Sequence, residues 1–231
     1  MKSYLSGKSS RSTIARLIAI AFLVLGISNL AQAKNPTTPS KAVVEYSHSP
    51  DSLIISYALI LGEIAGSDRG PSLRIYGDGL AYVHYPVYMA RAGDYGFHLS
   101  NNEMVSLLDS LADDGVIEFD TTKAKEATQL TDALRRETEG IMHHVSDPST
   151  TVIEIHLLSY TPPGANTLKK TDLGKIVRWS GLLADARQYP DHAAIQNLAS
   201  AERMLQTLME RPNLVSLEPQ TLMTSPVPAK D

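Results

Sequence analysis

Six tyrosines fall between residues 57 and 95: Tyr57, Tyr76, Tyr82, Tyr85, Tyr88 and Tyr95. Tyrosine joins a broad apolar ring to a hydroxyl and is enriched where proteins meet ligands. A surface built from Tyr76, Tyr82, Tyr85, Tyr88 and Tyr95 would suit an envelope protein, a peptide or a glycan. The same residues also fit strands, where cross-strand aromatic pairs stabilise a sheet, so both roles stay open. Asp78, Asp94 and His98 lie close together in sequence. Carboxylates and an imidazole of this kind could serve an exported hydrolase as dispersed acid and base.

Other residue types point away from familiar chemistry. The chain has seven histidines and no cysteine. His143 and His144 are adjacent, so in a strand or helix their side chains diverge, and no HExxH spacing occurs. His156 stands between Ile155 and Leu157 on the opposite side of a strand pattern, which suits a surface histidine. In Gly66-Ser67-Asp68-Arg69-Gly70 the serine directly follows the first glycine, whereas a nucleophile elbow needs it central. Gly77-Asp78-Gly79 lacks the alternating oxygen ligands of a calcium loop. No glycine-rich loop leads from a strand into a helix to cradle a phosphate. The expectation is therefore no metal and no cofactor.

These side chains need a scaffold, and the pattern supplies one. Leu53 to Leu61 reads as a central strand apolar on both faces. Ser72 to Tyr76 and Leu80 to Tyr85 are strands joined by Gly77-Asp78-Gly79, a hairpin turn. Asp94 to Leu99 continues the meander. Ser100 and Glu103 fit a capping box before a helix with Met104, Leu107, Leu108 and Leu111 on one stripe. Gly115 is its stop, and Val116 to Phe119 is a short strand candidate. A second helix spans about Thr122 to Thr138 with a thin apolar stripe. Thr151 to Tyr160 and Lys175 to Ser180 are strands around a long turn, 161 to 174. A last helix covers about Asp191 to Arg211. Hairpin-linked strands imply an α+β domain: an antiparallel β-meander sheet with three helices packed mainly on one face.

The first 33 residues read as a secretory signal peptide. Lys2, Lys8, Arg11 and Arg16 precede an apolar run, Leu17 to Ile27, and the stretch closes on Ala31-Gln32-Ala33. Ala31 and Ala33 offer the small side chains that a signal peptidase accepts. The run is shorter than a spanning helix, so no integral membrane segment is expected after cleavage, and the location expected is periplasmic or secreted. Residues 34–50 read as a flexible linker, 51–211 as a single domain and 212–231 as a flexible proline-containing tail. Cleavage removes four of the 21 basic residues and none of the 25 acids, making the net charge four more negative than the −4 of the whole chain. Acidity of this kind argues against nucleic acid as a partner. Roughly 200 residues remain, enough to bury a core without disulfides.

The succession "SLRIYGDGLAYVHY", "GDYGFHLSNNEMVSLLDSL", "SDPSTTVIEIHLL", "GKIVRWSGL" and "YPDHAAIQNLASAERMLQTL" resembles a group of bacterial exported domains of unknown function. In that group a YGDG hairpin is followed by an LSxxE-capped helix. The resemblance spans roughly residues 53 to 210. It implies one domain and carries no catalytic residue. The expectation is a non-catalytic exported protein with a binding or structural role in the cell envelope, with the dispersed Asp/His hydrolase as the alternative.

Overall fold

The computed structural model describes residues 41–62, 68, 70–140, 147–164 and 169–217. Ala31, Ala33, Ser67, His143 and His144 lie outside the described residues. Eight strands and four helices follow one another as β1 (Val43–Glu45), β2 (Leu53–Ile60), β3 (Ser72–Tyr76), β4 (Leu80–Tyr85), β5 (Gly93–His98), α1 (Asn101–Asp113), α2 (Thr121–Glu139), β6 (Thr150–Thr161), β7 (Lys170–Ser180), α3 (Leu182–Gln188), α4 (Ala193–Met209) and β8 (Val215–Ser216). All strand pairs are antiparallel. The sheet runs β7-β6-β2-β3-β4-β5-β8, and β1 shares one edge of β6 with β2. The class is α+β, as the hairpin pattern implies, with one helix more than expected because Gly181 turns the chain into the short α3.

Alternation sorts the strand residues into two faces. Ile55, Tyr57, Leu73, Ile75, Ala81, Val83, Ile153, Ile155, Val177 and Trp179 point to one side and are all buried. They form one core with Met104, Leu107, Leu108 and Leu111 of α1 and Ile195, Leu198 and Leu205 of α4. Each large apolar side chain so buried contributes about 2 kcal/mol. The capping box is present: Glu103 N–H donates to Ser100 Oγ, and Ser100 N–H donates to Glu103 Oε2 at 2.8 Å. Arg211 then donates to Glu103 Oε1 at 2.9 Å, pinning the end of α4 to the start of α1. These bonds hold the Glu103 carboxyl down at about 2.

Four stretches differ from the sequence expectation, one being Lys170–Gly174, expected in the turn 161–174 and found in β7 against the far half of β6. Val43–Glu45, placed in the 34–50 linker, is a strand paired to Ser159–Thr161. Val215–Ser216, placed in the 212–231 tail, pairs with Tyr95 and Gly96. Val116 to Phe119 is a run of turns, with Val116, Ile117 and Phe119 folded into the core. The hairpin is as expected, but its two glycines serve different ends. Gly79 takes φ +90. Gly77 is needed for space, since a Cβ there would lie 2.1 Å from the carbonyl oxygen of Ser47 and 2.6 Å from that of Ser49.

Candidate functional site

The second face of the sheet carries no helix among the described residues and is largely polar. Its side chains form rows across the strands. Glu154, Ser56, Arg74 and Tyr82 are successive cross-strand partners, and so are Val152, Ala58, Ser72, His84 and Asp94. Over β3, β4 and β5 this face sinks into an open basin of about 720 Å³. Arg74, Tyr76, Tyr82, His84 and Asp94 line it, with Asp51 and Asp78 at one end and Leu217 at the other. Gly96 helps make the depression. It projects no side chain beside Tyr82, and a Cβ there would lie only 3.3 Å from Leu217.

Tyr76 and Tyr82 meet at right angles, with ring centroids 5.7 Å apart and an interplanar angle of 88°. Arg74 is exposed beside them and makes no hydrogen bond or ion pair among the described residues. Tyr85 and Tyr95 also form a perpendicular pair, 5.9 Å apart, but on the helix side of the sheet. There Tyr85 donates to the Met209 carbonyl at 2.8 Å, and Arg91 lies over the Tyr95 ring. Tyr88 sits in the turn after β4, exposed and outside the basin. The five tyrosines proposed as one surface are thus divided. Tyr76 and Tyr82 share the basin, while Tyr85 and Tyr95 hold the fold together.

His84 stands at one end of the basin between two carboxylates. Its Nδ1 is 2.7 Å from Asp94 Oδ1 and its Nε2 is 2.9 Å from Asp68 Oδ1. Carboxylates only accept, so these two contacts favour the protonated ring, in which both nitrogens donate. The two acids accordingly raise the His84 pKa above its usual 6.5. The bond from His84 holds Asp68 below the usual carboxylate range, with help from the Val87 N–H. Asp94 and His98 lie at opposite ends of β5, paired with His84 and Leu80 respectively. Four residues of strand separate them by about 13 Å. Asp78 accepts from the Leu80 N–H within the hairpin turn. The trio Asp78, Asp94 and His98 therefore does not converge. No group of three metal-ligating side chains comes together among the described residues, and no described helix is long and apolar enough to cross a membrane.

No family model, curated protein or solved structure matches this chain.

Reading the sequence alone missed Arg74, His84 and Asp68. Arg74 was legible as the outward residue of Leu73-Arg74-Ile75, an alternating strand. The Asp68–His84 contact was not, because it joins a strand to a loop outside any repeating pattern. A further polar residue lies in the core. Glu202 of α4 is fully buried, and its Oε1 accepts from Tyr57 at 3.2 Å and Thr151 at 3.0 Å. Its Oε2 has no partner among the described residues, and burial raises its pKa.

Proposed function

We propose that this is an exported, non-catalytic protein of the bacterial cell envelope that binds its partner in the basin on the open sheet face. It belongs, on this reading, with the exported domains whose YGDG hairpin and LSxxE-capped helix it resembles. The observation that carries the proposal is the Tyr76–Tyr82 corner beside Arg74, which among the described residues has no partner, on a face that no described helix covers. Tyr82 and Arg74 are exposed there and Tyr76 is half-buried, so an aromatic face and a donor are both open to a ligand. The hydrolase alternative has less support. Its Asp94 and His98 are paired at separate ends of β5, and Asp78 is bonded within the hairpin turn.

Two measurements test the proposal. Mass spectrometry of protein from the envelope fraction should find Lys34 at the N-terminus. Immobilised protein should enrich a component of periplasmic extract that the Tyr82→Ala variant does not. Full-length protein confined to the cytoplasm, or identical eluates from both proteins, would refute the reading.

A further inference from the structure

We propose that the basin is a saccharide site, taking a neutral oligosaccharide with one sugar ring in the corner between Tyr76 and Tyr82. The inference rests on the binding role above and names the chemistry of the ligand. Size permits it: about 720 Å³ lies within the range of small-molecule sites. The walls also suit it. A pyranose ring with equatorial substituents has two faces of C–H groups and a belt of hydroxyls. Perpendicular aromatic rings give such a face something flat to cover and an edge to abut.

The polar groups narrow the choice. Arg74 only donates, and nothing described within the protein accepts from it. Asp51, and the oxygens of Asp78 and Asp94 not already bonded, only accept. A ligand filling the basin must present donors and acceptors side by side. A hydroxyl does both with one atom. Charges of both signs meet here: Arg74 is unpaired among the described residues, His84 lies between Asp94 and Asp68, and Asp51 and Asp78 stand at one end. A polyanion would meet these carboxylates and a polycation would meet the Arg74 guanidinium, so a neutral ligand is favoured.

An extended peptide fits less well. Peptides that lie along a sheet pair with a free edge. The basin sits over β3, β4 and β5, where strands on both sides already take the backbone groups. A peptide there would leave its own amides without backbone partners, whereas a saccharide has none that need pairing in a ladder.

Isothermal titration of the purified protein with cellotetraose and chitotetraose tests this, with tetragalacturonate and tetralysine as charged probes. One or both neutral tetrasaccharides should bind with Kd between about 10 μM and 1 mM. Tyr82→Ala and Arg74→Ala should each weaken that binding about tenfold. Tyr88→Ser alters an exposed tyrosine outside the basin and should leave it unchanged. The inference is overturned if neither neutral sugar saturates, if a charged probe binds more tightly, or if Tyr88→Ser weakens binding as much as Tyr82→Ala. Should no sugar bind while Tyr82→Ala still loses its captured envelope component, the saccharide assignment fails and the binding role stands.

Discussion

Replacing Glu202 with glutamine should make the protein more stable at pH 8 and leave it nearly unchanged at pH 4, below the ordinary glutamate pKa. The Glu202 carboxyl is fully buried between α4 and the sheet. One oxygen receives the Tyr57 and Thr151 hydroxyls, with the Gln206 amide at 3.4 Å, and the other oxygen receives nothing from the described residues. Burial raises its pKa, opposed by the bonds from Thr151 and Tyr57. An acid with a raised folded pKa favours the folded state below its unfolded pKa, and that advantage is lost as pH rises through the folded value. Glutamine keeps the carbonyl that accepts those bonds and copies the neutral acid, so it removes the dependence. The glutamine nitrogen is as unpartnered as the oxygen it replaces, so the gain comes from removing a buried charge, which costs more than the about 1–3 kcal/mol of an unsatisfied neutral group. We expect that excess, and so the gain, to be about 2 kcal/mol at pH 8, a rise in Tm of about 4–8 °C for a domain of this size. Other carboxylates move the other way, Glu103 among them, so the two proteins are compared with each other at each pH by calorimetry. A variant no more stable than wild type at pH 8, or a gap equal at pH 4 and pH 8, would refute the reasoning.

His84 should titrate above 6.5 when its ring resonances are followed by NMR, because both partners favour the cation. Its contribution to stability is then complete below the unfolded pKa and lost as pH rises through the folded one. A ring titrating at or below 6.5 would remove the paired-imidazolium description. Gly77→Ala should destabilise the fold by about 1–3 kcal/mol in chemical denaturation, because the new methyl group meets the Ser47 and Ser49 carbonyls. An unchanged denaturation midpoint would mean that the 47–49 segment is free to move away.

What the sequence disclosed follows from where the information sits. The strands Ser72–Tyr76 and Leu80–Tyr85 and the Ser100–Glu103 cap were legible because turn glycines, alternation and capping are local. β1 was not legible. Val43–Glu45 is three residues long, follows a proline-rich stretch and is a strand only because Ser159–Thr161 lies beside it. β7 begins five residues earlier than its apolar pattern, since the polar stretch Lys170–Gly174 is held by the far half of β6. Glu202 left a visible mark: it occupies the α4 stripe position seven residues after Ile195, where an acid is out of place. The basin was half legible. Tyr76 and Tyr82 were singled out, but separating them from Tyr85 and Tyr95 needed the strand register, which one residue's slip would reverse.

The twelve-residue β6 bonds along one edge to β7 and along the other to both β2 and β1. Ile55 meets Ile155 across this seam, a closure of about a hundred residues of chain, the kind of distant pairing that slows folding. During synthesis β2 to β5 can zip together by hairpins alone, yet the flank of β2 stays open until β6 emerges. The N-terminal half is therefore a sheet with an unpaired edge for as long as β6 is missing, and such an edge invites pairing with other chains. A fragment ending before residue 150 should self-associate, and a chaperone acting on the nascent chain would find its target along β2.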